Sequence, residues 1–264
     1  MLNKRFVSIA GLCALLIVTI VLQRADAQRS GYNNQHNSYN SQRNNYGQRR
    51  GTYQNRNYSN RRRANIAGEF DYYAMVLSWS PSYCASIGSR RRDPQCDPRA
   101  RPYSFVLHGL WPQYESRWPE NCRTRQRPFV SRQVIRSMLN IMPSKGLIIH
   151  EYKKHGTCSG YGPKGYYELA RRLYSKIKIP ARYIRPNRAV FVTPDQMTRD
   201  FVAANPGLKP GNLAISCRSR RGTLREIRFC FARDGSLRNC GRNENRRRMC
   251  SARRLYLPPV RQSR

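Results

Sequence analysis

The sequence predicts an α+β domain with a central, mostly antiparallel sheet. Three observations carry this. Runs rich in aromatic and branched residues open residues 66–264 and fill their last third, apolar residues at helical spacing lie between, and no βαβ rhythm links them. Tyr72 to Trp79 (YYAMVLSW) reads as a strand ended by Pro81. Tyr103 to Leu107 (YSFVL) reads as a second strand, running into a turn at Gly109 and Pro112. Val134, Ile135, Met138, Leu139 and Met142 mark a helix that stops before Pro143. Tyr166, Leu169, Ala170, Leu173, Tyr174 and Ile177 mark a longer one ending at Pro180. Thr193-Pro194-Asp195-Gln196 is a capping box with proline at the first helical position, and Met197 and Phe201 face inward on the helix it starts. Asn212 to Cys217 and Leu224 to Ala232 read as strands, and the turn Asp234-Gly235-Ser236 predicts a return strand.

The chain has 264 residues, with 50 Lys+Arg against 14 Asp+Glu and a formal charge of +36. Such an excess calls for an anionic partner: nucleic acid, acidic polysaccharide or anionic membrane. A hydrophobic fraction of 39% with 16 Pro and 17 Gly excludes a polytopic membrane protein and a collagen. Lys4 and Arg5 precede the apolar run Val7 to Leu22, and Ala25-Asp26-Ala27 offers small residues where signal peptidase reads them. Residues 1–27 therefore read as a signal peptide cleaved after Ala27. The run is shorter than the roughly 20 residues that span a bilayer, so no stable membrane anchor is expected. The mature chain is expected to be secreted or periplasmic. Its eight cysteines, Cys13 having left with the leader, are expected in disulfides.

Residues 28–65 hold ten Asn, eight Arg and five Tyr, with no acid and no Ile, Leu, Val, Met or Phe. Without apolar surface to offset ordering entropy, this segment reads as a disordered basic tail. Tyr32, Tyr39, Tyr46 and Tyr53 recur every seven residues, one per repeat where a coiled coil needs two apolar positions. A flexible tether fits the tail best; the other use is an arm that contacts RNA or another polyanion, Arg on phosphate and Tyr on base faces. Residues 66–264 keep 39 basic and 13 acidic residues, a charge of +26, and read as one domain.

Chemistry concentrates at the histidines. Of four, His36 lies in the tail without a partner, His108 stands in FVLHGLWP, and His150 and His155 stand in HEYKKHGTC. On a helix, the pairs Glu151/His155 and His150/Lys154 are each four apart, and all four side chains fall within about 140° of arc. Zinc fits poorly, because histidines five apart diverge by about 140° and Lys154 would repel a cation. No metal or cofactor is expected. A single histidine is more often a satisfied core residue; two of them with Glu and Lys on one surface, after apolar Leu147-Ile148-Ile149, point to catalysis. The reaction that wants this set is transesterification of RNA. One group takes the proton of the ribose 2′-OH and another returns one to the departing 5′-oxygen, as two imidazoles can near neutral pH. Lys154 and a protonated His150 would hold the charge of the phosphorane. Glu151 would fix an imidazole tautomer or contact the phosphorane when protonated.

FVLHGLWP and HEYKKHGTC resemble the two active-site segments of the T2 family of ribonucleases. Leu77-Ser78-Trp79-Ser80-Pro81-Ser82-Tyr83-Cys84 is similar to that family's first-strand motif. The resemblance covers residues 69–250 or so, and implies a ribonuclease T2-like fold stapled by disulfides. It also implies a metal-independent endoribonuclease that makes 2′,3′-cyclic phosphates and then 3′-phosphate ends with little base specificity; the chain is expected to be a monomer. Carried over by position, His108 and His155 are the acid/base pair, with His155 the base. Glu151 and Lys154 become transition-state stabilisers and His150 the phosphate binder. Trp111 is implied as a base-stacking platform, and Gln113, Pro143, Ser144 and Leu147 as base-site residues. Gln113 stands where some members have a base-reading Asp, and Tyr152 replaces a more usual Trp or Phe. In the family Cys158 pairs with a cysteine downstream of HGLWP, here Cys122. Cys84 with Cys96 would staple a short loop, Cys230 and Cys240 are symmetric about the Gly235 turn, and Cys217 is left with Cys250. Eight cysteines allow 105 pairings, so the resemblance does much of this assignment. Two other readings stand beside the enzyme: a cationic RNA- or polyanion-binding protein on the same scaffold, and a cationic protein acting on membranes.

Overall fold

The computed structural model describes residues 65–88, 93–218 and 222–261. The chain divides into units 1–55 and 56–264, and the described residues belong to the second. The expected signal peptide, and the expected basic tail but for its last residue, lie outside the described residues.

Six strands form one sheet: β1 (Tyr72–Trp79), β2 (Phe105–Gln113), β3 (Val190–Val192), β4 (Leu213–Arg218), β5 (Thr223–Ala232) and β6 (Leu255–Leu257). They run in the order β2-β1-β5-β6-β3, with β4 also paired to β5. The pairings are antiparallel except where β5 meets β6 at Thr223. The helices are α1 (Ser80–Ile87), α2 (Arg132–Met138), α3 (Lys145–Lys154), α4 (Pro163–Ser175), α5 (Pro194–Ala204) and α6 (Arg246–Met249). This is the predicted α+β class. Among the described residues no helix is long and apolar enough to cross a membrane.

Side chains alternate across the sheet. Tyr73, Met75, Leu77 and Trp79 of β1 enter the main core with Ile227, Phe229 and Phe231 of β5, against Leu169 and Leu173 of α4 and Phe201 of α5. Tyr72 and Ala74 point the other way and meet Cys230 in a smaller cluster. Burial on both faces explains why β1 reads as an almost unbroken apolar run.

Several boundaries differ from the sequence expectation, each for a local reason. β2 does not turn at Gly109 and Pro112 but runs on to Gln113, because it is an edge strand and tolerates a missing donor. It also carries a bulge: Val76 pairs with Gly109 and Leu77 with Leu107, leaving His108 as the extra residue. Pro81 does not simply end β1; it sits in the first turn of α1, where proline is favoured. Helix α2 stops at Met138, because Met142 precedes a proline and the Ile141 carbonyl accepts from the Leu107 N–H at 2.9 Å. Thr193 accepts from the Gln196 N–H at 3.0 Å, but the Gln196 side chain donates to Asp200 at 2.8 Å, so only half of the capping box forms. After the turn at Gly235 (φ 85°) no return strand forms. A single bridge joins Phe231 to Leu237, and the Cys240 N–H is drawn off to the Gly211 carbonyl at 2.9 Å.

Disulfides join Cys84 to Cys96, Cys122 to Cys158, Cys217 to Cys250 and Cys230 to Cys240. The Cys122–Cys158 bond ties the loop after β2 to the end of α3, where the Asn121 N–H donates to the Lys154 carbonyl at 2.7 Å. Its two cysteines are 36 residues apart. Replacing both by serine is expected to lower the unfolding free energy by about 3–4 kcal/mol through the restored loop entropy, read as a lower urea midpoint.

Candidate active site

The bulge decides which side chains share the site. In a regular strand His108 and Trp111, three apart, would face opposite sides of the sheet. With His108 as the extra residue both face the same side, and their rings meet edge to face at 5.2 Å. Helix α3 packs beside β2. Ser144 caps it, accepting from the Leu147 N–H at 3.4 Å, and Glu151 points inward, fully buried. The carboxylate lies directly over Gly109, where a Cβ would overlap Glu151 and come within 2.6 Å of Trp111 Nε1. His155 follows the last turn of α3 as its C-cap rather than lying on the helix, its N–H donating to the Glu151 carbonyl at 2.9 Å.

Trp111 organises the set. Its Nε1–H donates to Glu151 Oε2 at 2.7 Å, and its ring stacks on His155 at 4.9 Å and 26°. The guanidinium of Arg228 lies over the same indole at 4.8 Å. His108 reaches two carboxylates: Nδ1 is 2.8 Å from Glu226 Oε1, and Nε2 is 3.5 Å from Glu151 Oε1. Arg228 extends the chain of charges, 3.7 Å from Glu226 and 3.2 Å from Glu244, and the Tyr72 hydroxyl donates to Glu244. His155 Nδ1 is buried and has no hydrogen-bond partner among the described residues.

These surroundings drive the two imidazoles apart. Burial, then the positive charges of Lys154, His108, His150 and Arg228, lowers His155 to about 3. Burial also pulls on His108, but the hydrogen bond to Glu226 and the charges of Glu151 and Glu226 outweigh it, and His108 ends above its ordinary value. Burial raises Glu151 despite His108, Trp111, His150 and Lys154. Burial also opposes the ionisation of Glu226, yet the His108 hydrogen bond and the charges of His108, Arg228 and Arg225 hold it below the usual carboxylate range.

The structure thus brings His108, Trp111, Glu151 and His155 together. His150 is exposed at the rim, and Lys154 is half-exposed and paired with Glu120 at 3.6 Å. Of the residues assigned to base sites, Leu147 lines a cavity of about 290 Å³ beside His108, with Ser78, Tyr83, Gln95 and Glu226. Pro143 and Ser144 are buried outside its lining, Ser144 being used as the cap of α3. Gln113 does not face that cavity: it is 2% exposed and accepts from Asn243 Nδ2 at 2.9 Å. Glu226 and Arg228 escaped the sequence reading. Two charges at alternate positions of TLREIRFCFA pass for the wet face of a strand, and nothing local shows that this face is covered.

An α+β fold that gathers two imidazoles of opposite protonation preference and a buried carboxylate on one sheet face fits an acid–base endoribonuclease, and similarity to known proteins gives the family. The sequence model described as the ribonuclease T2 family matches residues 70–240. A ribonuclease of Aeromonas hydrophila is 41% identical over 177 residues, covering 64% of this chain and 75% of its own. Ribonuclease MC of Momordica charantia is 30% identical over 193 residues, 66% of this chain and 96% of its own. Ribonuclease MC1 from bitter gourd seeds superposes with a TM-score of 0.54 at 25% identity, over 70% of this chain and 99% of that one. The RNase-related protein from Calystegia sepium gives 0.56 at 18% identity, over 74% and 99%. The chain belongs to the ribonuclease T2 family.

Substituting Gly109→Ala would push the Glu151 carboxylate and the Trp111 indole off their present positions. The expected result is a folded protein by circular dichroism whose RNA cleavage falls about 100-fold, as displacements near 1 Å do at catalytic groups.

Proposed function

We propose that the chain is a secreted, metal-independent endoribonuclease that cleaves single-stranded RNA through a 2′,3′-cyclic phosphate. The observation that carries this reading is the indole of Trp111 between two imidazoles, edge to face with His108 at 5.2 Å and stacked on His155 at 4.9 Å, of which, among the described residues, only His108 has carboxylates against it. In the first step His155, neutral, takes the proton of the ribose 2′-OH while its oxygen attacks phosphorus. The bond from phosphorus to the 5′-oxygen breaks, and protonated His108 gives its Nε2 proton to that oxygen. The products are a 2′,3′-cyclic phosphate and a free 5′-OH. In the second step water replaces the leaving alcohol, the roles of the two imidazoles reverse, and a 3′-phosphate results.

Burial favours the protonated form of Glu151, which in that form would donate to a phosphorane oxygen; Lys154 adds positive charge, and His150 stands exposed at the rim where a phosphate could reach it. A bound phosphodiester brings negative charge to His155 and strengthens its hold on a proton, bringing the base closer to the working pH. The cavity beside His108 is near the small end of ligand pockets, roughly 300 Å³, and its polar rim and Leu147 suit a nucleobase. An RNase MC1 mutant has been crystallised in complex with 5′-UMP. The expected signal peptide, 1–27, accords with the four disulfides, which persist in oxidising compartments. We read 28–65 as a tail apart from the catalytic domain at 66–264.

RNA of defined sequence should be cut in excess EDTA to cyclic-phosphate and then 3′-phosphate ends, and His108→Ala or His155→Ala should each lose about 10²–10⁴-fold. Tight RNA binding by the wild type without such products would replace the enzyme by a polyanion binder. The pH dependence follows from the two shifts. A base must be neutral, so activity falls as pH drops through the pKa of His155; an acid must be protonated, so activity falls as pH rises through that of His108. The falling limb of kcat/KM is therefore expected above 6.5 and its rising limb well below it. The rising limb of kcat should lie at higher pH than that of kcat/KM, because bound phosphate raises His155.

A further inference from the structure

We propose that Glu226 is a positioning residue for the reaction, holding His108 with Nδ1 protonated so that Nε2 is the atom presented to the leaving 5′-oxygen. The proposal rests on His108 being the acid. It goes further by naming what fixes that acid.

Glu226 and His108 sit on β5 and β2, with β1 between them. Ser78 of β1 pairs with Glu226 on one side, and Leu77 pairs with Leu107, next to His108, on the other. Two strand spacings separate the backbones by roughly 9–10 Å, so the contact is made by side chains reaching over β1. What they cross is Ser78, which lines the same cavity as both and is small enough to let them meet at 2.8 Å. Glu226 is 7% exposed, so solvent offers its carboxylate little alternative. An ionised carboxylate only accepts, so Nδ1 must be the donor, and the neutral tautomer left after proton transfer has its lone pair on Nε2. That is the nitrogen beside Glu151.

The support continues behind Glu226. Arg228, two residues along the same strand face and 3.7 Å away, adds to His108 in favouring the ionised form of Glu226, and Glu244 with the Tyr72 hydroxyl holds Arg228. The charged and titratable groups around His108 and Glu226 include Arg225 and Arg228 from β5, Glu151 from α3 and His155 beyond it, with Asp93, Tyr83 and Arg218 lining the same cavity. Among them Glu226 makes the shortest contact to the ring.

The test is Glu226→Gln in the full chain, assayed on a short single-stranded RNA across pH. Gln keeps the shape and loses the charge. The expected result is kcat about 10–100-fold lower with KM within about twofold, as for loss of a partner that orients a catalytic imidazole. The falling limb of the pH profile should also move to lower pH. Unchanged activity overturns the proposal, and so does a lower kcat with that limb unmoved, which would mark a merely structural residue. A second measurement does not depend on the variant folding: nitrogen NMR of the wild-type histidines, with His108 assigned by its loss in His108→Ala. Protonation of neutral His108 at Nδ1 supports the proposal, and at Nε2 overturns it. A wild type that cleaves no RNA would sink the enzymatic reading instead, leaving the tautomer of His108 to be judged on its own.

Discussion

Between Leu107 and Gly109, strand β2 holds one residue more than the strand it pairs with, and that residue is His108. Strand geometry has a period of two, so an extra residue reverses which face everything beyond it occupies. Here the reversal lets Leu107 and Leu110 both enter the main core while His108 and Trp111 both look out over the other face. A regular strand would sacrifice one of those pairs. The bulge also opens the backbone where Gly109 stands, and Glu151 fills the space a side chain would have taken. Trp111 can then bind Glu151 through its N–H and His155 through its ring. The site is therefore a consequence of one insertion in an edge strand.

That face then has to keep charge out of water. Glu151, Glu226 and Glu244 are all buried, each at a cost of several kcal/mol if left alone. Arg228 answers two of them and His108 answers Glu226 and Glu151. Because the compensation is shared, no carboxylate is fully neutralised by one partner, and the imbalance is expressed on the titrating groups. His108 gains carboxylate neighbours and holds its proton; His155, packed on the indole without a carboxylate, gives its proton up. Burial acts on both rings. Only the neighbours differ, and under the proposed mechanism that difference divides the roles of acid and base.

Much of this was legible in the sequence where the information is local. The apolar runs gave β1 and the cores of α4 and α5, and the two histidine segments gave His108, Glu151 and His155 with the family they resemble. What was not legible is what depends on neighbours across the sheet. Pro112 read as a turn because the sequence does not show that β2 lies at an edge. Gln113 read as a base-site residue because it stands where some family members have a base-reading Asp; Asn243, 130 positions later, is what covers it. Glu226 lies 118 positions from the imidazole it touches, in a strand whose charges look solvated until the partner strand and Glu244 are in place. Site residues carried on one short segment are visible to a reader of sequence; the groups that touch them from another strand are not.

The net charge of +36 belongs to a different length scale from this chemistry. A positive field of that size draws in a polyanion, but it also disfavours any protonated imidazole within its reach. At about 0.1 M salt exposed charges are screened beyond roughly 10 Å, so basic residues farther than that from His108 act on the approach of RNA and little on the imidazole. The carboxylates at 2.8 and 3.5 Å from His108 are inside that distance, in a setting where screening is weak. The nearby exception is Arg228, which lowers both imidazoles and is itself tied to Glu226 and Glu244. Positive charge on the outside and buried carboxylates on the inside are therefore complementary. The first raises the local concentration of a polyanion such as RNA, and the second favours a protonated His108 in spite of the first.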